Sequence, residues 1–247
     1  MSNSLVQEHQ PERIRARLLQ QKKHSYLGDA ILGGIDGCVT TFAIVTGAIG
    51  AGFSASVIII LGVANLIADG FSMAVSNYQS TKSEHELLDE ARAIEENQIR
   101  QYPEGEKEEI RQIFAIKGFE GPILEEIVRV ITDNKKLWVD TMLTEELGLR
   151  LQAPLPVRAA FSTFGAFILV GAIPLLPFTL LFLSPSQSFL ASIVATSFAF
   201  LAVGMFKGKV LNVSVLRSGI ETLFMGGAAA SISYFVGHWL QQLTGAF

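Results

Sequence analysis

Apolar residues gather into five long runs, near positions 31–52, 54–78, 159–183, 187–206 and 218–241. Each holds about 20 residues or more, and at about 1.5 Å of rise per residue a helix of that length crosses the roughly 30 Å of hydrocarbon in a bilayer. Between the second and third runs the pattern shortens to amphipathic helices near 80–101, 104–117, 122–132 and 135–148, punctuated by Pro103, Gly118, Gly121 with Pro122, and Asp133 with Asn134. Ile110, Ile113, Phe114, Ile127, Ile131, Leu137 and Trp138 give these helices a core of their own. Nothing between Met73 and Glu84 breaks a helix, so the second span is expected to run on into the first of them. The predicted fold class is all-α: a polytopic membrane protein of five transmembrane helices with a helical module inserted between helices two and three. Its parts are a tail (1–24), spans one and two (25–79), the module (80–155) and spans three to five (156–247).

Composition agrees with a membrane chain: 49% of the 247 residues are hydrophobic, 17% are charged, and the mean hydropathy is +0.39. Charge then sets the orientation. The short connections at 50–54 and 184–187 and the end after Trp239 carry no lysine or arginine, whereas all 19 basic residues fall in the tail, in 79–158, or between Lys207 and Arg217. The positive-inside rule therefore places the amino terminus and the module in the cytoplasm. Arg13, Arg15, Arg17, Lys22 and Lys23 precede the first apolar run, as in an uncleaved cytoplasmic tail. The single cysteine, Cys38, excludes an internal disulfide and every Cys-rich metal motif, and a small buried thiol describes it better than a ligand.

An aspartate near a membrane helix centre costs roughly 2.5 to 3.5 kcal/mol, and Asp36 lies about two turns inside span one. Asp29, Gly33, Asp36, Gly37 and Thr40 recur at helical spacing there, and Asn65, Asp69, Ser72, Met73 and Ser76 do so on span two. Lipid offers such stripes no partners, so they must face protein or a hydrated cavity. The readings of Asp36 are an ion path or a neutral hydrogen-bonded strut. Met73 adds a thioether to the oxygen donors, an environment suited to a first-row divalent ion, or else is filler. Gly33 and Gly37 admit a closely packed second helix, including the same helix of another copy. Asp29, near the boundary, is read as hydrated or favoured by its helix terminus. Glu221, with Met225 one turn deeper, either extends the path or pairs with Arg217 or Lys207, and the ion pair is the favoured reading.

The module concentrates charge: residues 79–150 hold 17 acidic against 10 basic residues. Glu106 and Glu109 share one helical face, as do Met142 and Glu146. Adjacent carboxylates repel, a cost offset by a bound cation or tolerated on a solvated face balanced by Lys107, Arg111 and Lys117. A di-iron oxidase would need Glu-x-x-His pairs, and none of His9, His24, His85 and His238 has a glutamate three residues before it. The net negative module also disfavours nucleic acid as a partner.

These residues carry a resemblance. The run Gly33-Gly-Ile-Asp-Gly-Cys-Val-Thr-Thr-Phe-Ala-Ile-Val-Thr-Gly47, then Ala68-Asp-Gly-Phe-Ser-Met-Ala-Val-Ser76 with Tyr78 and Ser80-Thr-Lys-Ser-Glu84, resembles the vacuolar iron transporter family. Pro103-Glu-Gly-Glu-Lys-Glu-Glu-Ile110 and Gly226-Gly-Ala-Ala-Ala-Ser-Ile-Ser-Tyr234 continue it, over nearly the whole chain from Ser25. The resemblance implies a homodimer of five-span subunits whose cytoplasmic metal-binding module serves export of Fe2+ from the cytosol in exchange for protons. It implies a transport path at Asp36 and Met73, joined here by Asp69 and Thr40 on the same stripes, and metal ligands at Glu95, Glu106, Glu109, Met142 and Glu146. Two positions depart from the plant pattern: Gln98 replaces a glutamate and Leu143 a methionine, which implies fewer or weaker sites.

Burial disfavours a charged carboxylate, so a proton is a credible occupant of Asp36 when no metal is bound, and competition for one carboxylate is a minimal route to antiport. The chain is thus expected to be a transporter rather than an enzyme, with no prosthetic group, Fe2+ (or Mn2+ or Zn2+) as cargo, and metal ions, protons, the bilayer and a second copy as partners. A manganese-preferring transporter and a membrane-anchored metal sensor or scaffold are the alternatives. The membrane would be the plasma membrane of a bacterium or a vacuolar or similar membrane of a eukaryote.

Overall fold

The computed structural model describes residues 9–19, 25–152, 154–180 and 182–245. A short helix α1 (Pro11–Leu19) precedes the apolar chain, while Lys22 and Lys23 of the basic tail lie outside the described residues. Helix α2 (Leu27–Gly50) is the first span, and a tight turn at Gly52, with φ of +77°, reverses it into α3. Helix α3 (Ala55–Gln101) runs unbroken for 47 residues, about 70 Å at helical rise, so more than half its length extends past a bilayer's hydrocarbon. It stops before Pro103, whose ring disfavours a helical residue 102 and then starts α4 (Pro103–Ile116).

Helices α5 (Gly121–Thr132) and α6 (Lys135–Glu145) complete the module. Gly118, Gly121 and Gly148, with φ of +92°, +59° and +65°, make its turns, and the Asn134 side chain accepts from Leu137 N–H at 3.1 Å to cap α6. The module's apolar core holds Ile99, Ile110, Leu124, Val128, Ile131, Trp138, Val139, Met142 and Leu143, with Ile113, Phe114 and Ile127 packed against it. Leu137, expected there, is 42% exposed because it points off the opposite face of α6 from Val139 and Leu143.

The third span differs from expectation. Helix α7 (Pro156–Gly171) ends early and continues, bent by 41°, as a 3-10 helix (Ile173–Thr179). Pro174 and Pro177 lack the N–H donors a continuous α-helix needs, and their rings clash with the preceding turn. Ser192 hydroxyl donates to the Pro174 carbonyl at 2.7 Å, restoring a partner to one displaced backbone group. Helix α8 (Pro185–Val210) opens with a reciprocal cap between Ser184 and Gln187, and α9 (Val215–Thr244) closes the chain. Among the described residues four helices are long and apolar enough to cross a membrane, and five spans result if the bent pair counts as one. This is a multi-pass membrane protein.

The glycine face of α2 has an occupant within the chain. A Cβ at Gly33 or Gly37 would collide with the Thr163 or Phe167 backbone carbonyl of α7, and one at Gly50 with that of Tyr234 on α9. The small-residue pair thus seats α7, and the close approach by a second copy envisaged from sequence does not use it. Around this contact Cys38, Phe42, Val45, Phe167, Leu175 and Phe200 form the spanning core, where the Cys38 thiol is packed as a small apolar group.

Candidate ion path and carboxylate cluster

The periodicity of α2 and α3 sets Asp36 and Asp69 on the polar stripes of the two helices. Both are half-buried. Asp36 lines a groove of about 430 Å³ with Ile31, Leu32, Ile35, Val39 and, on α8, Lys207. Apart from Lys207, the other residues lining that groove are apolar. Thr40 sits one turn on, but its hydroxyl donates to the Asp36 backbone carbonyl at 2.9 Å, so its proton is committed to the helix and only its lone pairs are free. Met73 is half-buried and packs against the spanning core. Asn65 carries a buried amide nitrogen with no partner among the described residues.

Asn77 was not singled out in the sequence. Its amide donates to Asp29 at 2.9 Å and to the Thr163 hydroxyl at 2.7 Å, tying α2, α3 and α7 together. Asp29 is thus held by a side chain, beyond the hydration or helix-terminus effect expected of it. The only signal in sequence is Asn77's place one residue past the Asp69-Met73-Ser76 stripe. Glu221 takes Arg217 at 2.9 Å, which leaves Lys207 with no ion pair among the described residues.

In the module, three helices bring five expected ligands toward one place. Glu95 comes from α3, Glu106 and Glu109 from α4, and Met142 and Glu146 from the end of α6. Glu95 and Glu106 are 4% and 5% exposed, and each has an oxygen without a hydrogen-bond partner among the described residues. Met142 is fully buried in the module core, while Glu109 and Glu146 are exposed. Burial, then the charges of Glu146, Glu106 and Glu109, pushes Glu95 up to about 7. Burial, then Glu109 and Glu146, raises Glu106, and burial, then Glu109, raises Glu146.

Many of the surrounding acids are in a different condition, although Asp89, Glu90 and Glu120 also have no ion pair among the described residues. Glu96 pairs with Lys135, Glu104 with Lys107, Asp140 with Arg92, Glu126 and Asp133 with Arg129, Glu145 with Lys117, and Glu108 and Glu125 with Arg111. Lys107, Arg111 and Lys117 thus balance neighbours of the cluster, and none of its four carboxylates has a cationic partner among the described residues. Their oxygens and the Met142 sulfur fit a divalent cation in kind. Among the described residues, however, no three His, Cys, Asp or Glu side chains already stand at metal-ligating spacing, so binding requires the exposed pair to close on the buried pair. Gln98 is exposed, and Leu143 is fully buried in the module core.

A family model described as "VIT family" matches residues 27–238, which takes in both stripes, the module and all the spans. The chain belongs to the VIT family. Among similar VIT-family proteins is the "Vacuolar iron transporter" of Toxoplasma gondii, 33% identical over 230 residues, covering 90% of this chain and 76% of that protein. "Vacuolar iron transporter 1" of Arabidopsis thaliana is 34% identical over 217 residues, 87% and 86% of the two chains, and that of Tulipa gesneriana is 30% identical over 247 residues, 98% and 95%. These VIT-family relatives are transporters, and the family is not one of enzymes.

Proposed function

We propose that this VIT-family protein carries Fe2+ out of the cytosol in exchange for protons, capturing the ion on a cytoplasmic module and passing it along Asp36, Asp69 and Met73. The observation that carries this reading is the burial of Glu95 and Glu106, 4% and 5% exposed and each with an unpartnered oxygen, beside Glu109 and Glu146, with no cationic partner for any of the four among the described residues. Mutual repulsion and burial without compensation are a standing cost, which a divalent ion repays. The names of the relatives supply iron as the cargo, and the partition of basic residues supplies the orientation.

Asp36 is the shared docking point for metal and proton, since one half-buried carboxylate cannot hold both. Asp69, Ser72 and Ser76 lie along a partly open face of α3, where lipid offers polar groups nothing. A second copy covering that face would enclose the path, which supports a homodimer. The test is purified protein in liposomes with a pH-sensitive dye inside and Fe2+, Mn2+ or Zn2+ offered outside. Wild-type protein should move Fe2+ with counter-flow of protons, and Asp36→Asn should reduce flux to background while assembling normally. Proton-coupled flux retained by Asp36→Asn would reject the role of that carboxylate, and metal binding without any flux would favour a sensor.

A further inference from the structure

A second cavity, of about 430 Å³, lies where α3 leaves the spanning region and the connection from the module returns to α7. The connection is pinned there: the His85 Nε2 is 2.7 Å from the Pro154 carbonyl, and Leu155 N–H donates to the Tyr26 hydroxyl at 3.0 Å. Asp29, Asn77, Ser80, Thr81, Glu84 and Arg150 supply the cavity's polar lining. Asn77 fixes one oxygen of Asp29 at 2.9 Å, and the other has no hydrogen-bond partner among the described residues. Thr81 is only 5% exposed, lines the cavity, and has no hydrogen-bond partner among the described residues. Glu84 and Arg150 share the cavity, yet neither forms an ion pair among the described residues.

We infer that this cavity is a staging site for a hydrated divalent cation on its way from the module to Asp36. The inference rests on the transport reading above. Two carboxylates against one guanidinium leave the cavity net negative, and the Thr81 and Ser80 hydroxyls offer neutral oxygen. With only two carboxylates present the ion keeps its water, and at about 30 Å³ per water the cavity has room for a first hydration shell. Asp29 and Asp36 are seven residues apart on α2, two turns or about 10 Å, with Gly33 between them packed on the Thr163 carbonyl, so an ion leaving the cavity passes beside the α2–α7 contact. Arg150 is a tethered competitor that keeps affinity low enough for release.

Mn2+ binding to the purified full-length protein, read by electron paramagnetic resonance, tests this together with the half-saturating Mn2+ of liposome flux. Arg150→Gln should tighten Mn2+ binding and lower the half-saturating concentration several-fold, whereas Asp29→Asn with Glu84→Gln should raise it several-fold. The opposite signs separate a site from simple misfolding. Mn2+ binding and half-saturation unchanged in Arg150→Gln would overturn the proposal. Asp36→Asn should lose flux yet retain the tightening by Arg150→Gln. If Asp36→Asn transports normally while that tightening persists, the path through Asp36 fails and the cavity site stands.

Discussion

Glu95 shows what burial does to a single carboxylate. It is 4% exposed with no cationic partner among the described residues, so burial first, and then the charges of three neighbouring glutamates, raise its proton affinity, to about 7. Because this value lies above that of the unfolded chain, the folded protein binds the extra proton, and the stability it confers is present at low pH and lost as pH rises through about 7. In metal-free protein, Glu95→Gln should therefore raise the melting midpoint at pH 8, by roughly 1 to 3 kcal/mol in stability, and change little at pH 5. Melting curves at the two pH values check this, and an equal effect at both would remove burial of charge as the cause. Sequence spacing alone paired Glu106 with Glu109 and Met142 with Glu146, because helical neighbours are legible. Glu95, from a different helix, came only through family resemblance, and its burial depends on how α3 packs on α6.

At the scale of elements, α2 is the organiser. Its glycines at 33 and 37 let the backbone of α7 approach, and Gly50 does the same for α9 near its other end. Gly37→Leu would force the α2–α7 contact apart, and overpacking against a backbone carbonyl costs at least the usual 1 to 3 kcal/mol. The expected outcome is loss of the monodisperse detergent-solubilised protein, measured by size-exclusion chromatography. Gly28→Ala, which meets no atom within 4 Å, should behave as wild type. The small-residue pattern was plain in the sequence, but its partner was not, because periodicity gives a face and never names the helix that fills it. The break in the third span was readable in principle from Pro174 and Pro177, and hydropathy alone hid it.

For the whole molecule, α3 is both membrane span and scaffold of the module, so Asp69 and Glu95 are joined by one rigid element 26 residues apart, about 39 Å along its axis. On the proposed path captured ions cross that interval, and an acidic field, with seven more acidic than basic residues over 79–150, favours cations near the module. Glu106→Gln with Glu109→Gln should raise the half-saturating metal concentration for transport several-fold while leaving flux at saturating metal measurable. Raising ionic strength from about 0.05 to 0.5 M should weaken capture by wild type more than by this variant, since salt screens the field. Flux titrations at the two salt concentrations decide it, and equal salt dependence would remove the module's charge from the account.

Length, apolar runs and the placement of lysine and arginine determined that this chain spans a membrane repeatedly and carries an acidic helical insertion. Those properties are sums over local composition, and no contact between distant residues enters them. Only the tertiary structure decided that the glycine face of α2 holds α7, that Asn77 ties Asp29 to Thr163, and which glutamates lose their cationic partners. Each of these depends on pairs far apart along the chain, whose meeting is fixed by packing rather than by the period of any one helix.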